Sequence, residues 1–241
     1  MRFWLLLLVL CPLLLWQARH TRHGTPRLPE AAGPQHGHCG EGPALRLLVI
    51  GESPVAGVGV EKQAHGLGPA IAAPLAQRIG GRVHWHCHGT NGLRLADLLD
   101  KPLPATAPDE HAPDIILIMM GVNDTTALTS LKRWRAELRQ LISALAPHAT
   151  LCFSPVPPMR HFTALPQPLR YVIGTRAAQL DSSLREICAE TGTPYLSYGK
   201  LQHPSLLARD GYHPSAAGYR AMGDALARQM LEKIPALRHP R

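Results

Sequence analysis

Apolar runs that end at a glycine alternate with amphipathic segments along most of the chain. Runs that begin at Leu47, Val83 and Ile115 are each followed by a glycine, and two further runs, "ATLCFSPV" and "TPYLSY", complete a set of five predicted strands. The intervening segments carry apolar residues at helical spacing, most clearly from Leu131 to Leu145. Strands that alternate with helices pair in parallel through right-handed crossovers. The pattern predicts a doubly wound, three-layer α/β/α domain around a mainly parallel five-stranded sheet.

The N-terminal segment breaks this alternation with an apolar run of 14 residues, from Phe3 to Trp16. That length matches the core of a signal peptide and is short for a full membrane span. Trp16 lies where a signal-peptidase site near Ala18 needs a small residue, so cleavage is doubtful. The segment predicts membrane association or export to the periplasm, and the arginines around it do not fix its orientation. The predicted parts of the chain are a signal or anchor segment over 1–18, a Pro-, Gly- and His-containing linker over 19–44, and one domain over 45–241.

Composition narrows the function classes. With 241 residues, 45% of them apolar and only 5% aromatic, the chain is expected to form one core of aliphatic side chains. The formal net charge of +8 comes largely from the N-terminal segment and from scattered arginines rather than from one basic stripe, so we do not expect nucleic-acid binding. Five cysteines without regular spacing predict buried free thiols instead of a disulfide framework.

Candidate functional residues follow the ends of three different predicted strands: Ser53, Gly92 and Asn123. The carboxyl ends of parallel strands meet at one edge of a sheet, where open α/β folds bind their ligands. Near its C-terminus the chain adds "DGYHP", in which Asp210 and His213 are three residues apart. Each residue alone has a structural explanation, such as a helix cap for the serine or a turn for the asparagine. Their joint placement instead predicts one crevice that contains all five.

These five residues can together catalyse acyl transfer. A serine hydroxyl is a weak nucleophile that needs a base, which is itself oriented by a third group. We expect His213 to be the base for Ser53 and Asp210 to orient its imidazole. The backbone N–H groups of Ser53 and Gly92, with the side-chain amide of Asn123, would then stabilise the oxyanion. The prediction is a Ser-His-Asp triad that needs no metal and no cofactor.

Four short blocks resemble those of the GDSL, or SGNH, hydrolase family. They are "GESPVAG", "GTNGLRLADLL", "GVND" and "DGYHP", and they occur in the family's order. The resemblance implies a serine esterase or acylhydrolase with the nucleophile, base and oxyanion donors named above. It also implies a small-molecule, acylated-carbohydrate or lipid ester as substrate, without choosing among them. Glu52 stands where the family name has Asp, and we expect this difference to tune the site rather than abolish activity.

Two other functions stay open at this point. A catalytically inactive protein could keep the crevice for binding, for which Glu52 is the one indication. His84, His86 and His88 alternate along one predicted strand, so three imidazoles share a face and could serve a metal-dependent hydrolase. No acidic ligand lies near them in the sequence, which makes this function the less favoured. The proline-rich segment Ser154–Arg170 predicts either a lid over the crevice or a structural cover.

Overall fold

A five-stranded sheet with helices on both faces makes up the domain in the computed structural model, which describes residues 2–102, 112–199 and 203–238. The strands are β1 (His36–Cys39), β2 (Ala44–Gly51), β3 (Arg82–Gly89), β4 (Ile115–Met119) and β5 (Thr150–Phe153). The helices are α1 (Arg2–Gly24), α2 (Leu67–Ile79), α3 (Leu95–Leu99), α4 (Val122–Thr126), α5 (Leu131–Leu145), α6 (Leu169–Thr191) and α7 (Ala216–Lys233). The strand order is β1-β3-β2-β4-β5, with β1 antiparallel and the other pairs parallel. The predicted three-layer α/β/α class is confirmed.

The central strands are apolar throughout because each face of the sheet packs against a separate helical layer. Along β2, Leu47 and Val49 pack with α2 and α7, whereas Leu48 and Ile50 pack with α3, α5 and α6. Successive side chains of a strand point to opposite faces, so a strand covered on both sides needs apolar residues at every position. All five residues of β4 are accordingly buried.

Strands β2, β3 and β4 end at the same level, which determines where the site forms. Gly51 pairs with Gly89 on one side and with Met119 on the other. The loop after β2 then crosses the end of β3 at very close range, since a Cβ at Gly89 would lie 2.2 Å from the backbone nitrogen of Ala56. The loops that follow the three strands therefore meet at one edge of the sheet.

The fifth strand is not the one that the sequence predicts. The segment "TPYLSY" makes only an isolated bridge between Phe153 and Tyr195, with two backbone hydrogen bonds to Phe153. Pro194 has no N–H with which to extend the pairing. The fifth strand is β1, which lies within residues 19–44, the predicted linker, and pairs with β3. Its four residues are half-buried or exposed, so it carries no apolar run that the sequence could reveal.

The N-terminal apolar run lies in α1, which continues beyond the predicted boundary at residue 18. Phe3 and Leu14 are buried against Leu169 and Val172 at the start of α6. By length and composition the stretch Phe3–Gly24 is long and apolar enough to cross a membrane, a property that signal sequences share. The assignment of this segment as a signal or anchor remains a prediction.

All five cysteines are free, and three of them lie in the core. Burial raises the pKa of the Cys87 and Cys188 thiols to about 12, and it raises the pKa of the Cys152 thiol as well. These residues pack as small apolar side chains.

Alanine at position 89 tests the close crossing of the Ser53 loop over β3. Gly89→Ala should lower the free energy of unfolding by about 1–3 kcal/mol, because overpacking forces the backbone to shift. Denaturant titration monitored by circular dichroism measures this change. Gly24→Ala is the control, because an added Cβ there meets nothing within 4 Å. Equal stability of the two variants would contradict the tight crossing.

Candidate active site

Ser53 lies two residues beyond the end of β2, in a hydrogen-bonded turn that is linked to α7. The N–H of Ala56 donates to the Glu52 carbonyl at 3.2 Å. The N–H of Val58 donates to the Ser53 carbonyl at 3.0 Å. Tyr219 of α7 is fully buried and donates its hydroxyl to the Val58 carbonyl at 2.7 Å. The position of Ser53 is thus fixed from both the sheet and the helical layer beneath it.

Three side chains form a hydrogen-bonded chain at this edge of the sheet. Ser53 Oγ lies 2.9 Å from His213 Nε2, and His213 Nδ1 lies 2.5 Å from Asp210 Oδ2. An ionised carboxylate can only accept, so Nδ1 carries the proton and Nε2 is left to accept from the serine hydroxyl. That is the tautomer which a general base needs.

The Asp210 carboxylate is buried and satisfied on both oxygens. Its Oδ1 accepts from the backbone N–H groups of Tyr212 at 3.0 Å and of His213 at 3.1 Å. Burial acts to raise the pKa of Asp210, but these bonds and the one from the His213 side chain outweigh it, so the pKa lies below its ordinary value. Asp210 is therefore ionised at neutral pH and can hold the imidazole in place.

The loop that carries Asp210 and His213 precedes α7 and packs directly on the Ser53 loop. The N–H of Ala208 donates to the His213 carbonyl at 2.7 Å, which closes the loop. A Cβ at Gly59 would lie 2.2 Å from the carbonyl oxygen of Pro214, so the two loops touch through their backbones. This contact sets the separation between the serine and the histidine.

Buried Glu52 joins the Ser53 loop to α4. Its Oε1 accepts from the Val122 N–H at 2.8 Å, and its Oε2 accepts from the Asn123 N–H at 3.0 Å and from Asn123 Nδ2 at 2.5 Å. Burial raises the pKa of Glu52 to about 7, although the N–H groups of Val122 and Asn123 act to lower it. In the sequence, Glu52 stands out only as the residue that differs from the family's first block. In the structure it is the residue that orients Asn123.

Both N–H groups of the Asn123 amide have acceptors in this structure. Besides its contact with Glu52, Nδ2 lies 3.1 Å from the carbonyl oxygen of Leu93. A primary amide has two N–H groups, so donation to a substrate oxygen requires the longer bond, to Leu93, to be exchanged. The neighbouring Gly92 has φ 84°, a left-handed conformation that favours glycine.

One cavity of about 1040 Å³ brings the predicted site residues together. Its lining includes Ser53, Gly92, Asn123, Asp210 and His213. The proline-rich segment Ser154–Arg170 contributes Met159 and Phe162, so that segment forms part of the wall. Residues of α1 and the chain just after it, between Ala18 and Leu28, form another part. From the sequence, this N-terminal stretch is predicted to lie outside the domain, because its composition is that of a signal segment followed by a linker.

The three alternating histidines do not contribute to this cavity. His84, His86 and His88 lie on the exposed side of β3. His38 and His36 of β1 stand beside the first two, with ring centroids 5.7 Å and 6.3 Å away. Burial lowers the pKa of His86 and of His88. Across residues 2–102, 112–199 and 203–238, no group of three or more His, Cys, Asp or Glu side chains is placed to hold a metal ion, so the metal-dependent alternative gains no support.

Comparisons with known proteins identify a family and a fold. A family model described as the GDSL-like lipase/acylhydrolase family matches residues 49–221. A GDSL-like esterase of Mycobacterium tuberculosis is 27% identical over 237 residues, covering 89% of this chain and 74% of that protein. A family 3 carbohydrate esterase of Clostridium thermocellum has a TM-score of 0.61 at 16% identity, over 81% of this chain and 100% of that one. An acetylxylan esterase of Geobacillus stearothermophilus has a TM-score of 0.55 at 22% identity, over 79% and 95%. These two structural likenesses concern the fold.

Glu52→Gln tests the buried carboxylate through the pH dependence of stability. The folded pKa of about 7 lies above the ordinary 4.5, so the folded state binds more protons than the unfolded state between these values. The contribution of Glu52 to the free energy of unfolding should therefore fall as the pH rises from about 4.5 to about 7, by roughly 3 kcal/mol. Denaturant unfolding at the two ends of this range should show that Glu52→Gln removes this contribution from the slope. Exposed Glu61→Gln should keep it, and equal slopes in both variants would refute the prediction.

Proposed function

The chain belongs to the GDSL-like lipase/acylhydrolase family and is a hydrolase of ester bonds, and we propose that it acts through an acyl-enzyme formed on Ser53. The observation that carries this proposal is the 2.9 Å contact between Ser53 Oγ and His213 Nε2, with Asp210 on the other ring nitrogen. A serine hydroxyl becomes an effective nucleophile when a positioned imidazole can take its proton. The alignment of the three groups is the one that such activation requires.

In the acylation step, Ser53 Oγ attacks the carbonyl carbon of the ester while His213 Nε2 takes the hydroxyl proton. The ionised Asp210 stabilises the imidazolium that forms and stays ionised itself. As the tetrahedral intermediate collapses, the bond to the leaving alkoxide breaks, and His213 gives that oxygen the proton. The alcohol leaves, and the acyl group remains on Ser53.

In the deacylation step, a water molecule takes the place of the departed alcohol. His213 Nε2 removes one proton from the water, whose oxygen attacks the acyl carbonyl carbon. The bond to Ser53 Oγ then breaks, and His213 returns the proton to the serine. The products are a carboxylic acid and a regenerated enzyme, and every proton in the cycle passes through one imidazole.

The oxyanion of each tetrahedral intermediate would be bound by the N–H groups of Ser53 and Gly92 and by the Asn123 amide. Donors aimed at developing charge stabilise the transition state more than the ground state. The bond from Asn123 to Glu52 fixes the amide plane, while its bond to Leu93 is the one that the substrate oxygen replaces. Glu52 is a positioning residue in this scheme, because it acts through Asn123.

The substrate that fits best is an ester with an apolar acyl group. Met159, Phe162, Leu169 and Ile173 contribute apolar surface to the cavity that holds Ser53. Relatives named as carbohydrate esterases support an acylated sugar as the alternative. A panel of p-nitrophenyl esters of increasing acyl length separates the two, because an acetyl esterase should lose activity quickly as the chain grows.

Ser53→Ala should abolish both ester hydrolysis and covalent labelling by a fluorophosphonate. Loss of one member of a triad typically costs on the order of 10⁴-fold or more in kcat. Ser154→Ala is the matched control, since Ser154 borders the same cavity and is buried. A parent protein that fails to label would favour the alternative of an inactive binding protein. Activity of Ser53→Ala equal to that of the parent would refute the nucleophile.

Asn123→Ala should lower kcat by about 10²- to 10³-fold with little change in KM, because the lost donor acts mainly on the oxyanion. Steady-state kinetics on one p-nitrophenyl ester measures both constants. Asn91→Ala removes the other asparagine amide that borders the cavity and should have a far smaller effect. A change confined to KM would assign Asn123 to substrate binding instead.

A further inference from the structure

One face of α1 is shaped to pack on the domain. The residues that turn inward recur every three or four positions, with Cys11 beside them, and they are Phe3, Leu7, Leu10, Leu14, Gln17 and Thr21. Gln17 is 6% exposed; its Nε2 donates to the Gln167 carbonyl at 2.7 Å, and its Oε1 accepts from the Leu169 N–H at 3.0 Å. A buried amide with both its oxygen and its nitrogen satisfied by the domain indicates a specific docked position.

The N-terminal end of α1 is held as well. The guanidinium of Arg176, a residue that is 2% exposed, lies 5.7 Å from the ring centre of Phe3 and 5.8 Å from that of Trp4. Cation–π contacts at these distances are favourable. From Phe3 to Gln17 the helix advances about 21 Å at 1.5 Å per residue, so it lies along the domain over that length. In this position α1 cannot cross a bilayer, because α6 and Arg176 would have to enter the hydrocarbon with it.

The opposite face of α1 is exposed and apolar. Eight of the ten large hydrophobic side chains that are exposed in the described parts of the chain belong to it. They are Trp4, Leu5, Leu6, Leu8, Val9, Leu13, Leu15 and Trp16. A contiguous apolar surface of this kind marks an interaction site, and tryptophans are enriched where protein meets the edge of a lipid bilayer.

Positive charge follows this face and indicates what covers it. Arg19, Arg22 and Arg27 are exposed, and the whole chain has a formal net charge of +8. Cationic side chains beside an apolar helix face attract anionic lipid headgroups. A second copy of the chain would bring its own arginines to the same contact, where like charges repel. The occupant that satisfies both the apolar face and the arginines is an anionic bilayer.

The same helix also borders the active-site cavity. Ala18, Thr21 and Arg22 of α1 line the cavity that contains Ser53. Thr25 and Leu28 continue the lining just after the helix. A bilayer against the outer face of α1 would therefore lie next to the cavity, with one helix between the two.

We propose that α1 stays on the working enzyme as a wall of its cavity and lies in the surface of an anionic bilayer, from which the cavity takes amphiphilic esters. The membrane location rests on the docked face of α1, on its exposed apolar face and on the arginines beside it. The source of the substrate rests in addition on the ester hydrolysis proposed above.

Depth-dependent fluorescence quenching tests how α1 lies in the bilayer. The full chain is mixed with phosphatidylcholine vesicles, with or without phosphatidylglycerol, that carry bromine at defined acyl positions. Trp85 and Trp134 are 7% and 0% exposed, so quenching reports Trp4 and Trp16 of α1. We expect binding to need phosphatidylglycerol and quenching to be strongest for bromine near the headgroups. A helix that spans the bilayer would place Trp16 near its centre and reverse that order, which would overturn the proposal. Trp4→Phe with Trp16→Phe should lose the quenching.

Substitution of exposed leucines tests whether the outer face of α1 binds the bilayer, with an exposed leucine outside α1 as the control. Leu8→Gln combined with Leu15→Gln should weaken vesicle binding at least about tenfold, since two apolar side chains that the bilayer would bury are replaced by polar ones. The ratio of hydrolysis of a vesicle-borne ester to that of a soluble ester should fall with it. Leu131→Gln removes an exposed leucine from α5 and should bind vesicles like the parent. Equal binding by all three proteins would overturn the proposal.

Gln17→Ala tests the docked position of α1. Removing a buried amide leaves the Leu169 N–H and the Gln167 carbonyl without their partner and should loosen the helix, so that trypsin cleaves after Arg19 or Arg22 roughly tenfold faster. The same variant should raise KM for a long-chain p-nitrophenyl ester more than KM for the acetate. Unchanged cleavage and unchanged chain-length preference would show that α1 is not a wall of the cavity.

The outcomes separate this proposal from the proposed function. Ester hydrolysis by a protein that does not bind vesicles would overturn the membrane location alone. Vesicle binding with quenching near the headgroups, but without hydrolysis of any ester, would overturn the proposed function and the substrate source while supporting the location of α1. Protein isolated from cells with its N-terminus beyond residue 24 would overturn the proposal outright.

Discussion

The buried carboxylate of Glu52 fixes the geometry on which the site depends. It immediately precedes Ser53 in the chain, and its two oxygens receive the first N–H groups of α4 and the amide of Asn123. Burying a carboxylate is costly, and the three donors offset only part of the lost hydration, so the pKa of Glu52 stays above its ordinary value. Because Glu52 is the chain neighbour of Ser53 and is hydrogen-bonded to Asn123, the serine and the asparagine cannot shift independently of each other.

The convergence of the site residues could be predicted from the sequence because it follows from topology. Parallel strands place their carboxyl ends at one edge, so Ser53, Gly92 and Asn123 had to be neighbours once their strands were identified. The role of Glu52 could not be predicted, because its partners come from a different strand-to-helix turn. Nor does a motif reveal that the Asn123 amide is already engaged by Leu93, since that contact depends on the path of the loop after β3.

The two edges of the sheet and the docking of the N-terminal helix were harder to predict from the sequence. Strand β1 lies at an edge with half its residues exposed, so it has no apolar run. Conversely, "TPYLSY" has a strand-like composition, but Pro194 limits it to a bridge. The apolar run in α1 has the composition of a signal segment. Only its contacts reveal a docked face: Phe3 and Leu14 pack against α6, and Gln17 is hydrogen-bonded to the backbone at the start of that helix. The spacing of apolar residues in the sequence is the same whether this helix packs on the domain or lies in a membrane, so the sequence alone does not distinguish the two.

Burial protects the three cysteines in the core from thiol chemistry. A thiol reacts as its thiolate, and burial keeps Cys87, Cys152 and Cys188 protonated. No disulfide contributes to the part of the chain that the structure describes. These three side chains therefore act as small apolar groups, and an oxidant reaches them only when the core opens.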